Sequence, residues 1–88
     1  MPRIIVEFYG IPRRRAGRSE LEVWAGTVGE ALAAVERACP GLSGLIGPDG
    51  RLAPHYLLSA DGRRFGLALS EPVRDGERLL LLSADAGG

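Results

Sequence analysis

The order of hydrophobic periodicities along this 88-residue chain predicts an α+β fold, one main helix laid across one face of a small mixed sheet. Three observations carry that prediction. Residues 3–9 and 19–24 alternate apolar and polar side chains with the period of a half-buried strand. A single apolar stripe, Val28, Leu32, Val35 and Cys39, recurs at helical spacing. The second half then returns to short strand-like runs punctuated by the turns Asp61-Gly62 and Asp75-Gly76.

Ile4, Val6 and Phe8 fall on one face of the first strand, with Ile5, Glu7 and Tyr9 on the other. Gly10-Ile11-Pro12 breaks that strand, and Arg13-Arg14-Arg15-Ala16-Gly17-Arg18 reads as a polar loop. Residues 19–24 form the second strand, Leu21 and Val23 inward, and so short a connection makes the two an antiparallel hairpin. Thr27-Val28-Gly29-Glu30 announces the helix: Thr27 caps the free amides while Glu30 reaches back to the Thr27 amide. Pro40-Gly41 stops it after about three turns.

Residues 42–54 read as a loop interrupted by Gly44, Gly47, Pro48, Gly50 and Pro54, with Leu42, Leu45 and Ile46 able to pack back as a short helical turn. A third strand at residues 56–60 meets an Asp61-Gly62 turn and a short edge strand at residues 64–69. Pro72 and Asp75-Gly76 turn the chain into a last strand, residues 77–83, with Leu79 and Leu81 on one face and Leu80 and Leu82 on the other. Should the last strand pair with the first, the two run parallel, because the helical region carries the chain across the sheet; four to five strands are expected in all.

Composition removes several function classes. Eleven basic residues balance eleven acidic ones, which argues against a general nucleic-acid or membrane binder. Arg13, Arg14, Arg15 and Arg18 do cluster, but no aromatic residue interleaves with them. A solvated loop or an acidic protein patch suits them better than RNA phosphates. Met1-Pro2-Arg3-Ile4-Ile5-Val6 reaches Glu7 before any long apolar stretch, and no window approaches the roughly 20 apolar residues of a membrane span. A soluble, cytoplasmic protein is expected.

Cys39 is the one cysteine, so neither an intramolecular disulfide nor a four-thiolate iron–sulfur site is available; its place on the apolar helix face makes it a core residue. His55, beside Pro54 and Tyr56, has no Cys or carboxylate at ligand spacing and reads as a loop histidine. Trp24, at the end of the second strand, is expected to pack over an edge. No Ser/His/Asp set, phosphate loop or metal spacing occurs, so no bound metal or cofactor is expected. Lysine is absent, so the chain offers no side-chain acceptor for an isopeptide bond to its own kind.

The chain ends in Gly87-Gly88 directly after the last strand. Two residues without Cβ make a thin thread that fits a narrow active-site channel, and a bulky side chain at Gly87 would collide with its walls. Residues 1–83 are expected as the folded domain and residues 84–88 as a flexible tail, reaching roughly 17 Å beyond the sheet when extended. A terminal carboxylate, with a pKa of about 3.5, is ionised and inert toward nucleophiles. It becomes an acyl donor only when an oxygen is exchanged for a better leaving group.

Three stretches together resemble the β-grasp, ubiquitin-like sulfur carriers of the MoaD/ThiS type, which include the small subunit of molybdopterin synthase and the thiazole sulfur carrier. Phe8-Tyr9-Gly10 with Arg13 and Ala16-Gly17 is similar to that family's first strand and loop. Thr27-Val28-Gly29-Glu30, Leu32 and Pro40-Gly41-Leu42 are similar to its helix opening and close. Asp75-Gly76-Glu77 through Gly87-Gly88 is similar to its turn, terminal strand and diglycine. Two departures occur. Ser83-Ala84-Asp85-Ala86 stands where the family often has two prolines and a valine, and Asp85 puts a negative charge three residues from the carboxylate.

The resemblance implies a carrier with no catalytic residues of its own. An E1-like adenylyltransferase, using ATP and magnesium, would adenylate Gly88. A sulfur donor of the cysteine desulfurase or rhodanese type would then replace AMP to leave a thiocarboxylate. A sulfur-accepting enzyme such as the molybdopterin synthase large subunit would take the sulfur. Ala86 and Gly87 would be needed for access, and Leu80, Leu82, Tyr9 and Arg13 are the candidate partner contacts. The helix and Pro-Gly-Leu stretch fit the molybdopterin branch best. Sulfur donation to cysteine, thiazole or tRNA, a protein modifier joined to lysines through Gly88, and a non-covalent β-grasp interaction module stay open as alternatives. Leu80 and Leu82, with Ile5 and Tyr9, are expected to form an exposed apolar patch unless the 42–54 loop covers it.

Overall fold

A computed structural model describes residues 1–84, and Asp85, Ala86, Gly87 and Gly88 lie outside the described residues. The element order is β1 (Arg3–Phe8), α1 (Ile11–Ala16), β2 (Glu20–Trp24), α2 (Val28–Ala38), a 3₁₀ turn (Pro40–Leu42), β3 (Tyr56–Ala60), β4 (Arg64–Phe65) and β5 (Arg78–Ser83). The five strands form one mixed sheet in the order β2-β1-β5-β3-β4. β1 and β2 pair antiparallel with Ile4 opposite Val23, and β1 and β5 pair parallel with Val6 opposite Leu79 and Phe8 opposite Leu81. β3 returns antiparallel to β5, setting Leu58 against Leu81. The antiparallel β1–β2 pair and the single main helix are those the periodicities predict, and the last strand does pair with the first, in the parallel sense that the helical crossover requires.

The alternation along β1 explains the core. Ile4, Val6 and Phe8 are shut off from solvent, as are Leu79 and Leu81 on β5, and α2 lays Val28, Ala31, Leu32 and Val35 over them. Full burial of a side chain of this size contributes about 1.5–3 kcal/mol, so this layer supplies the main driving force for folding. Leu42 and Leu45 join the same cluster, and the leucines of the 42–54 loop therefore pack on the helix side of the sheet. Cys39 is buried there too, as its place on the helix stripe requires. No helix among the described residues is long and apolar enough to cross a membrane.

Three local expectations need correction. The Arg13–Arg15 run is not a loop but half of α1: Pro12 sits in the first turn and Gly17 closes the helix in the left-handed conformation, φ 74°. Six residues give too little length for an apolar stripe, which hid the helix although both end signals were present. Thr27 accepts from the Glu30 amide as expected, at 3.2 Å, but the Glu30 carboxylate takes the Gly26 amide, at 2.7 Å, instead of that of Thr27. β4 covers two residues, not six. Beyond it Leu69 and Glu71 offer their carbonyls to the free amides of Gly29 and Val28, at 2.8 and 2.9 Å, and this draws the segment off the sheet edge to the start of α2. Trp24 ends the edge strand β2 and stands 54% exposed.

Candidate functional site

Parallel pairing of β1 and β5 places the carboxyl ends of both strands at the same end of the sheet. The antiparallel partners β2 and β3 begin there. The segments that leave β1 and β5 are therefore neighbours by topology. After β1 the Tyr9 amide donates to the Leu81 carbonyl, at 3.1 Å, Gly10 turns the chain, and α1 is set beside β5. After β5 the Ala84 amide donates to the His55 carbonyl, at 2.8 Å. The point from which residues 85–88 continue is thus flanked by α1, His55 and Tyr56.

Two contacts hold α1 in that position. The Arg15 guanidinium donates to the Tyr56 hydroxyl, at 2.8 Å, and Tyr56 lies opposite Ser83 in the sheet. Gly41, in the 3₁₀ turn after α2, is pressed against the last turn of α1: a Cβ there would fall onto the Arg15 carbonyl oxygen. The motif residues Ala16-Gly17 and Pro40-Gly41-Leu42, far apart in sequence, are thereby in one contact.

The face of the sheet turned away from α2 divides into two halves. One is apolar. Leu82 is opposite Leu57, and Leu80 is opposite Ser59, which is opposite Phe65 on its other side. Leu80, Leu82 and Ile5 are half-buried, while Leu57 and Phe65 are 43% and 56% exposed. The Ser59 hydroxyl, wholly buried between Leu80 and Phe65, has no hydrogen-bond partner. The 42–54 loop, with its leucines in the core, leaves these side chains accessible.

The other half is ionic. Arg3 pairs with Glu22 at 3.1 Å, and Arg78 donates to Glu7 and approaches Glu20 at 3.8 Å. Tyr9 donates its hydroxyl to Glu7. That phenol, and then Arg78, hold the Glu7 carboxyl below the usual carboxylate range, while the same bond to Glu7 raises the Tyr9 phenol.

Of the sequence-predicted residues, Leu80 and Leu82 lie side by side on the outer face, and Tyr9, directly after β1 and two residues from Glu7, is 42% exposed. Arg13 projects from α1 at the end of the sheet and is exposed. Gly88, Gly87 and Ala86 fall outside the described residues. His55 is exposed at the loop–strand junction with its ring 4.3 Å from that of Tyr56. Among the described residues no group of three or more His, Cys, Asp or Glu side chains is placed to hold a metal ion. Leu57 and Phe65 belong to the apolar half and were missed. β3 is apolar on both faces, and only pairing with β5 decides which side Leu57 occupies.

No family model and no curated protein sequence matches the chain. Among solved structures it is similar to the small archaeal modifier protein SAMP1 of Haloferax volcanii: 30% identity, 98% of this chain and 99% of that one covered, TM-score 0.83. It is also similar to a chain of the BexX/CysO complex of Amycolatopsis orientalis, at 25% identity, 97% and 99% coverage and TM-score 0.80. A chain from the complex of subunits 1 and 2 of the molybdopterin-converting factor of Helicobacter pylori shares the fold, at 21% identity, 98% and 99% coverage and TM-score 0.66.

Proposed function

This chain belongs to the ubiquitin-like sulfur carriers of the MoaD/ThiS type, and from that premise we propose that the Gly88 carboxylate is its working group. An E1-like adenylyltransferase holds ATP and magnesium. The carboxylate oxygen attacks the α-phosphorus and pyrophosphate leaves; the outer sulfur of a cysteine desulfurase or rhodanese persulfide then attacks the acyl-adenylate, AMP leaves, and a second thiol cleaves the resulting acyl disulfide, being itself oxidised to a disulfide. The product is a thiocarboxylate whose sulfur passes to an acceptor enzyme. The chain is a cosubstrate acting in the cytoplasm, and catalysis belongs to its partners.

One observation carries this reading best. The parallel β1–β5 pairing delivers the segment after Ala84 at an end of the sheet that adjoins an accessible apolar face, Leu57, Leu80, Leu82 and Phe65. A partner gripping that face has the tail beside its active site. Ala86 and Gly87 pass through the channel because they are slim. For the acceptor we assign first a molybdopterin synthase large subunit. The Pro40-Gly41-Leu42 turn, packed against α1, and the fold shared with the Helicobacter pylori subunit support it. The BexX/CysO complex of Amycolatopsis orientalis supports the broader point that such carriers dock on protein partners.

A second reading is favoured by the likeness to SAMP1, a protein named as a modifier: Gly88 forms an isopeptide bond with lysines of other proteins after the same activation. Intact-mass measurement after incubation with ATP, magnesium, an E1-like enzyme and a sulfur donor tests the carrier reading. The mass must rise by the difference between sulfur and oxygen. An unchanged mass, with the enzyme shown active on another carrier, overturns it.

A further inference from the structure

The net charge of zero conceals a local excess. Between Tyr9 and Ser19 the sequence holds four arginines and no acidic residue. Folding concentrates them: Arg13, Arg14 and Arg15 occupy the last turn of α1, and Arg18 follows the Gly17 cap. All four are exposed. Among the described residues none of them pairs with a carboxylate, since the ion pairs formed there use Arg3, Arg64 and Arg78. Arg15 spends one hydrogen bond on the neutral Tyr56 hydroxyl and keeps its charge. The tail itself contributes one acidic side chain, Asp85, against four guanidinium groups.

Topology fixes what this cluster faces. α1 follows β1, the tail follows β5, and the two strands are parallel neighbours, so α1 and its arginines stand beside the root of the tail, with Arg15 bonded to Tyr56 opposite Ser83. When the terminal residues are inside an enzyme channel, the root of the tail is at its mouth. We propose that Arg13, Arg14, Arg15 and Arg18 form a cationic collar that docks on an acidic rim around the channel of the activating enzyme. The collar is distinct from the apolar outer face and acts with it. The apolar face supplies affinity, while the collar steers the encounter and fixes the rotation of the domain about its tail. A protein rim is preferred to a nucleic acid because α1 carries no aromatic side chain for base stacking and because the tail must enter a protein.

The inference rests on the reading that Gly88 is activated, and the test separates the two. The E1-like adenylyltransferase of the same organism is assayed by carrier-dependent exchange of labelled pyrophosphate into ATP, at low and high salt. The wild-type chain is compared with Arg13→Glu/Arg14→Glu, which spares the Arg15–Tyr56 bond. Wild type is expected to show a KM that rises steeply with salt. The double reversal is expected to raise KM roughly tenfold or more at low salt, to lose most of the salt dependence and to keep kcat at saturation.

Equal KM values, or a wild-type KM indifferent to salt, overturn the collar while leaving activation of Gly88 intact. Absence of exchange with the wild-type chain overturns activation and the collar with it. Tight binding of total tRNA that the reversal abolishes, with KM unchanged, overturns the protein rim in favour of RNA. Should the double reversal unfold, as judged by its thermal midpoint, Arg13→Gln/Arg14→Gln serves in its place, with a smaller rise in KM expected.

Discussion

Replacing Gly41 by alanine is the sharpest test of how the two family motifs are joined. The backbone of Gly41 is not in the left-handed region, so alanine can adopt it without strain. Away from any contact, such a change would stabilise the protein by about 0.4–1 kcal/mol through the unfolded chain. Here the added Cβ falls onto the Arg15 carbonyl oxygen and comes within 3.0 Å of its carbon, atoms of a rigid backbone. Forced separation of packed elements costs typically about 1–3 kcal/mol, so the net effect runs from near zero to a loss of about 2.6 kcal/mol, and an overlap this deep with backbone places it at about 1–2 kcal/mol. For a domain of this size each kcal/mol moves the midpoint by about 4–8 °C, so Gly41→Ala should melt roughly 4–15 °C below wild type. Thermal denaturation followed by circular dichroism reads this directly. Gly44→Ala makes the comparison: φ is +87° with open space around it, so its loss comes from backbone strain alone. A Gly41→Ala midpoint at or above wild type refutes the contact between α1 and the Pro40–Leu42 turn.

Further outcomes are expected. Gly87→Val should block adenylation at Gly88 while the melting curve stays at wild type, and normal adenylation would contradict a narrow channel. Leu82→Glu places a charge in the accessible apolar row and should weaken binding to the activating or accepting enzyme by roughly tenfold or more, with little change in stability; calorimetric titration showing undiminished affinity would mean that partners dock elsewhere. Glu7 has its carboxyl held down by Tyr9 and Arg78. Its contribution is therefore complete above the unfolded value of about 4.3 and disappears as pH falls through the lower folded value. Denaturant midpoints measured from about pH 6 to about pH 3 should fall less for Glu7→Gln than for wild type, and parallel acid limbs would show that the bonds to Glu7 add nothing.

Much of this architecture is legible in the sequence, because its signals are periodic. Ile4, Val6 and Phe8 fix the inner face of β1, and Leu79 and Leu81 that of β5, so their parallel pairing requires only a helical crossover between them. Thr27 and the Pro40-Gly41 stop bracket α2 closely. The features that escaped are non-local. α1 is too short to show a stripe, and its boundaries rest on a buried Pro12 and on Gly17. The Glu30 carboxylate chooses the Gly26 amide over that of Thr27, a choice set by how the chain enters the helix. Residues 67–71 leave the sheet because the amides of Val28 and Gly29 need acceptors, a demand that arises some forty residues upstream. Leu57 and Phe65 reach the outer face through register alone. The motif pairs of the carrier family, by contrast, are explained once Gly41 is found against Arg15.

The central claim is that Gly88 carries transferable sulfur. The most direct measurement is fragment mass spectrometry of the full chain recovered from cells in which its partners are present. The account predicts a fraction of molecules with sulfur in place of one oxygen, localised by the fragments to Gly88. Recovery of that residue only as an unmodified acid, or joined only to lysine side chains of other proteins, would contradict it.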